Sequence, residues 1–211
     1  MPTRAAAPRR TQAERSAATR AKLLDAALEC LAELGYAGTT TTVVAERAGV
    51  SRGAQLHHFP ARAALVAAAV EHLYARLTAA YQAGFARLPR GADRLRAALD
   101  LLWSMFSEPR YGAVLELFTA ARTDPELRAH LRPIAERHQA NVERLARAYF
   151  PHAARQSRAF DATLALVLDA MQGMASTRAV HTHGPSEAER LTTLHRIAAR
   201  ALAPARGQEV A

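Results

Sequence analysis

The stretch Thr40–Phe59, TTTVVAERAGVSRGAQLHHF, holds two short helical patterns on either side of a Gly-Val turn. In the first, the Thr40 hydroxyl can accept an orphan backbone N–H at a helix start, and Thr41, Val44, Ala45 and Ala48 recur on one face. Gly49 supplies the left-handed backbone that ends a helix, and Ser51 can cap a second one running from Arg52 through His58. Two short helices joined by a tight glycine turn are the parts of a helix-turn-helix, whose second helix is offered to a DNA major groove.

What precedes this stretch suits an anionic partner. The 211-residue chain carries a net charge of +9, and residues 1–22 hold Arg4, Arg9, Arg10, Arg15, Arg20 and Lys22 against Glu14 alone. The planar fork of Arg suits phosphates and guanine edges, although Arg and Ala enrichment also follows from genome base composition. With 50% hydrophobic residues the chain can bury a real core, as one domain or two small ones. A single cysteine, Cys30, excludes an internal disulfide framework and any Cys-based zinc finger. No apolar run is long enough to span a bilayer and the N-terminus does not read as a secretory signal, so a cytoplasmic protein with no membrane partner is expected.

Along the chain the pattern is helical throughout, in about nine helices. Residues 1–12 read as a disordered basic arm. From Ala13, Leu24, Ala27, Leu28, Leu31 and Leu34 form one apolar stripe that Gly35 stops. After Phe59-Pro60 a long helix runs from Ala61 to about Leu88, long enough to link the helix-turn-helix to a second domain. Further helices are expected over 91–107, 110–122, 125–150 with a kink or break at Pro133, 155–180 and 186–202. Asp124-Pro125 and Ser186-x-x-Glu189 mark two of the starts. His181 and His183 read as solvated loop, and residues 204–211 as a loose tail.

Residues 20–70, with LLDAALECLAELGYAGTTTTVVAERAGVSRGAQLHHFPARAALV at their centre, resemble the N-terminal domain of the tetracycline-repressor-like (TetR) transcription regulators. The shared features are an apolar first helix, a Gly before a Thr pair, the Ala-Gly-Val-Ser turn, His-Phe, and then a basic residue and Leu. The resemblance implies an all-α fold: an N-terminal three-helix helix-turn-helix domain (13–60), then a helical ligand-binding and dimerisation domain (61–203). It implies double-stranded operator DNA, a second copy of the chain and a small-molecule effector as partners, with no cofactor. It also implies repression relieved when the effector shifts the long helix, so that two reader helices leave the spacing of roughly 34–36 Å between successive major grooves. Carried over by position, Thr40 and Arg62 become phosphate contacts, and Ser51, Arg52, Gly53, Ala54, His57 and His58 belong to the reader. The usual Leu-Tyr pair is Gln55-Leu56 here, which leaves Gln55 free for a base edge or a phosphate. Thr42 and Val43 also stand where a basic and an acidic residue are common.

Adjacent His57 and His58 point about a quarter-turn apart and cannot converge on one metal ion, so phosphate contact is the better reading. In the second domain Trp103, Phe106, Tyr111, Phe118, His138, Met171 and Met174, with His130, are candidates for a ligand cavity, although each also reads as ordinary core. There is no Gly-x-Ser-x-Gly elbow, phosphate-cradling glycine loop or His-Glu-x-x-His. An enzyme is therefore not expected; the competing reading is a helical small-molecule-binding protein without operator binding.

Overall fold

The computed structural model describes residues 11–89, 93–178, 180 and 184–203. Nearly all of the basic arm, the His181–His183 loop and the tail expected over 204–211 lie outside them. The described residues form ten helices and no strand: α1 (Gln12–Gly38), α2 (Thr41–Ala48), α3 (Arg52–His58), α4 (Arg62–Ala86), α5 (Arg94–Phe106), α6 (Pro109–Ala120), α7 (Pro125–Tyr149), α8 (Pro151–Gln156), α9 (Phe160–Thr177) and α10 (Glu187–Leu202).

Local chemistry sets many of these ends. Thr11 and Glu14 form a reciprocal capping box at the start of α1, and Ser186 and Glu189 do the same for α10. Asp93 caps α5 and Asp124 caps α7, each through a side-chain oxygen that accepts a first-turn N–H. Within α1, Gly35 departs from helical geometry with φ 66° and ψ 180°, so the regular helix stops there and a last distorted turn follows.

Three expectations are corrected. α7 runs unbroken through Pro133, which is exposed, so water can serve the carbonyl that loses its N–H partner. Pro151 ends α7 but also opens the short α8 as its first residue, making ten helices rather than nine. α9 begins at Phe160, not Arg155.

One core links both ends of the molecule. Leu23, Leu24, Ala27, Leu28 and Cys30 of α1 are at most 1% exposed and pack with Val44 of α2 and with Leu65, Val66 and Val70 of α4. Each such Leu or Val contributes about 1.5–3 kcal/mol by leaving water. α1 also packs along α6, and α4 along α7 and α5, so the first and fourth helices carry the reader on the remaining six.

Candidate DNA-reading surface and effector cavity

The reader is built from caps. The Thr40 hydroxyl accepts the Val43 N–H at 3.2 Å and starts α2, and Gly49, at φ 63°, ends it by donating its N–H to the carbonyls of Ala45 and Glu46. A Cβ at Gly49 would meet nothing within 4 Å, so backbone conformation, not crowding, requires the glycine. The Ser51 hydroxyl accepts the Ala54 N–H at 3.3 Å and starts α3. Arg47 reaches Glu33 at 2.7 Å and ties α2 to α1.

Thr40, Ser51, Arg52, Gly53, Leu56 and His57 are exposed, and Ala54 and His58 are half-buried. They share one surface around the start and outer face of α3. Gln55 does not belong to it. It is 1% exposed, and its Nε2 donates to the Phe59 carbonyl at 2.7 Å while the Phe59 N–H donates to the Gln55 carbonyl at 2.8 Å. Its carboxamide locks the end of the reader helix and cannot reach a base edge. Arg62 is half-buried, and its guanidinium donates to the Tyr36 carbonyl and lies 3.9 Å from the Tyr36 ring centroid. Sequence reasoning overlooked Arg20, whose guanidinium sits 5.5 Å from the centre of the Phe59 ring, where α3 ends.

The second site is a cavity of about 130 Å³ lined by α4, α5, α6, α7, α9 and α10. Its wall is mostly apolar, including Leu77, Leu99, Met105, Phe106, Val167 and Ala198, with Thr78, Tyr81, Tyr111, His138 and Thr163 as polar members. A second lobe shares Phe106, Tyr111 and His138 and adds Phe118, Gln139, Glu143, Asp161, Asp169 and Gln172. His138 stacks flat on Tyr74, with centroids 3.7 Å apart and planes within 6°. Burial pushes the His138 imidazole down to about 4 and the Tyr81 phenol up to about 12, and raises Tyr74 and Tyr111 as well. At neutral pH these groups are uncharged and serve as hydrogen-bond partners.

Four of the seven cavity candidates, Phe106, Tyr111, Phe118 and His138, do line one or both lobes. Trp103 does not. It is 7% exposed, and its Nε1–H donates to Glu187 Oε1 at 3.0 Å, pinning α10 to α5. Met171 is core at 0% exposure, Met174 is half-buried against that core outside the lining, and His130 is exposed. The missed wall residues Tyr74, Tyr81 and Thr163 carry no local signal, because α4 and α9 bring them to α7 only through the fold.

Residues 23–69 match the family model of bacterial regulatory proteins of the tetR family. The HTH-type transcriptional regulator Mb2936c of Mycobacterium bovis is 30% identical over 185 residues, 88% of this chain and 95% of that protein. The chain belongs to the TetR family. The HTH-type transcriptional regulator CymR of Pseudomonas putida is 42% identical over 135 residues, a match covering 64% of this chain and 66% of that protein. Solved TetR-like folds agree over nearly the whole chain. The multidrug binding protein EbrR, in complex with imidazole, superposes with a TM-score of 0.63 at 24% identity, covering 90% of this chain and 97% of EbrR. A transcriptional regulator from Rhodococcus sp. Rha1 gives 0.65 at 23% identity, covering 87% and 95%. This TetR-family chain is therefore a DNA-binding transcriptional regulator whose relatives are regulators rather than enzymes. Among the described residues no helix is long and apolar enough to cross a membrane.

Proposed function

We propose that this TetR-family regulator is a cytoplasmic homodimeric repressor that leaves its operator when a small molecule fills the cavity. The observation that carries this reading is the course of α4: it starts at Arg62 beside the reader and supplies Leu77, Thr78 and Tyr81 to the cavity wall. An occupant that prefers a different setting of α4 shifts the reader, and only such a difference in affinity between two states can do so. An apolar or aromatic body with one or two hydrogen-bonding groups fits the wall. Residues 13–60 act as the reading domain and 61–203 as the effector and dimerisation domain. Support for the dimer comes from α9 and α10, which pack on each other and leave Leu166 67% and Ile197 56% exposed.

On the DNA side, Thr40, Ser51, Gly53, Ala54, His57 and His58 approach the backbone or groove, with Arg52 as the principal charged contact. Selecting bound duplexes from a random pool and titrating salt tests this. The logarithm of affinity should fall linearly with log salt, and Arg52→Ala should weaken every duplex and make that slope shallower by about 1. A dimer that retards no duplex at low salt sinks the reading. A compound screen against the selected complex then identifies the effector.

A further inference from the structure

We propose that Tyr36 is the positioning residue through which the effector cavity sets the reader. The inference rests on the effector-responsive reading above and adds a route separate from the length of α4. Gly35, at φ 66°, breaks α1 one residue earlier, which frees the Tyr36 N–H from the helix ladder. That N–H donates to Glu116 Oε1 of α6 at 2.8 Å. The same break lets α6 come close, since a Cβ on Gly35 would sit 2.9 Å from the Glu116 carboxylate. Gly35 is thus required by its backbone, while a Cβ there would also press on the carboxylate that holds the Tyr36 N–H.

The remaining polar groups of Tyr36 go to two other helices. Its carbonyl accepts from the Arg62 guanidinium at the first residue of α4, which also covers its ring. Its hydroxyl donates to Asp124 Oδ2 at 3.0 Å, and Asp124 is the cap of α7, accepting the Leu127 N–H at 2.9 Å. The Leu127 N–H and the Tyr36 hydroxyl together hold the Asp124 carboxyl below the usual carboxylate range. The N–H, carbonyl and hydroxyl of Tyr36 thus each reach a different helix of the body, the carbonyl also accepting the Thr39 N–H at 3.2 Å that closes α1.

Those three helices are also cavity walls. α6 contributes Tyr111, α7 contributes His138 and α4 contributes Tyr81. An N–H···O bond holds only near about 2.7–3.2 Å and close to linear, so a shift of α6 that the Glu116 side chain does not follow drags Tyr36 or releases it. Tyr36 stands four residues before the cap of α2, so either outcome changes where the helix-turn-helix sits. A residue that only glued two helices together would need one of these bonds.

Trp103 offers a readout, because it is the only tryptophan in the chain and lies in the body on α5, remote in sequence from the reader. Duplex selected by the wild-type protein is titrated onto full-length wild type, Tyr36→Phe, Glu116→Ala and Glu116→Gln. Labelled-DNA anisotropy gives affinity, and Trp103 emission reports the body. In the wild type, DNA binding shifts Trp103 emission. Tyr36→Phe keeps the ring beneath Arg62 and loses only the bond to Asp124, while Glu116→Ala removes the acceptor from the Tyr36 N–H. Both should bind DNA within about threefold of wild type, below the roughly 5-fold that marks a typical allosteric coupling, yet lose most of the Trp103 shift. Glu116→Gln keeps an acceptor oxygen and should restore the shift, which a role in stability alone does not require. An unchanged Trp103 shift in both Tyr36→Phe and Glu116→Ala overturns the proposal, as does a wild type that binds DNA with no shift at all. Failure of the wild type to bind any duplex instead overturns the regulator reading.

Discussion

The three helices of the reader all begin with a side-chain cap, from Thr11, Thr40 and Ser51, whereas in the body only α5, α7 and α10 do, and α4, α6, α8 and α9 begin with none. Packing differs in the same sense. Around α1 and α2, Leu23, Ala27, Cys30 and Val44 are 0% exposed; the body has its own fully buried residues, Val114, Leu117, Leu127 and Met171, but its Leu99, Met105 and Phe160 face a cavity. The reader is fixed by contacts within a few residues and by a filled core. The body is built of helices that cross around open space.

The most direct way to break that contrast is to truncate one leucine on each side. Leu65→Ala, at 0% exposure beneath the reader, should cost about 3–5 kcal/mol, because both the transfer term and a new cavity count against it. Leu99→Ala enlarges a cavity that already exists, and about 2 kcal/mol is expected. Urea denaturation at equilibrium measures both. Equal losses would mean that the body is as tightly filled as the reader.

His138 tests the body alone. Its folded value of about 4 lies below the ordinary histidine value of 6.5, so between these the unfolded chain binds a proton that the folded one excludes. Stability should therefore be full above about pH 6.5 and fall as pH drops toward 4, by at most ~1.4 kcal/mol per pH unit. His138→Phe preserves a ring against Tyr74 and should flatten this slope. A slope unchanged in the variant assigns it to groups other than His138.

Gln55 tests the reader. Gln55→Ala leaves the Phe59 carbonyl without its Nε2 donor in a buried place and should cost about 1–3 kcal/mol of stability. DNA affinity should fall by the same factor for all duplexes. Loss confined to one base position would show that Gln55 leaves its buried site when DNA binds.

The same contrast governs what the sequence discloses. Thr40, Gly49, Ser51 and the span Arg52–His58 could be read within a residue, because a cap or a glycine acts on its immediate neighbours. Gln55 shows where chemical type misleads: a polar residue reads as free, although it stands four positions before Phe59, which places both on one helical face. The contact of Arg62 with Tyr36 left no local signal, because Tyr36 belongs to another helix. In the body the helices themselves were legible from apolar spacing and prolines, but Pro151 carried two meanings, a stop and a start. The cavity was legible only as a list of aromatics. No periodicity puts Tyr74 under His138, and the bond that takes Trp103 out of the candidate wall goes to a residue on α10.

The smallest effect concerns Leu56, which is 45% exposed on the outer face of α3, where the family pattern has Tyr. An exposed leucine contributes nothing to a phosphate, so the hydroxyl of Leu56→Tyr should add a neutral hydrogen bond worth about 0.5–1.5 kcal/mol to every duplex alike. Because tyrosine brings no charge, it displaces no counterion, and the slope of log affinity against log salt should stay that of the wild type. The two readouts separate this from a rearranged interface: tighter binding with an unchanged slope places the side chain against the backbone, whereas a changed slope means that Arg contacts have moved. If neither affinity nor slope moves, residue 56 does not face the DNA, and the reading surface is confined to the start of α3 around Arg52.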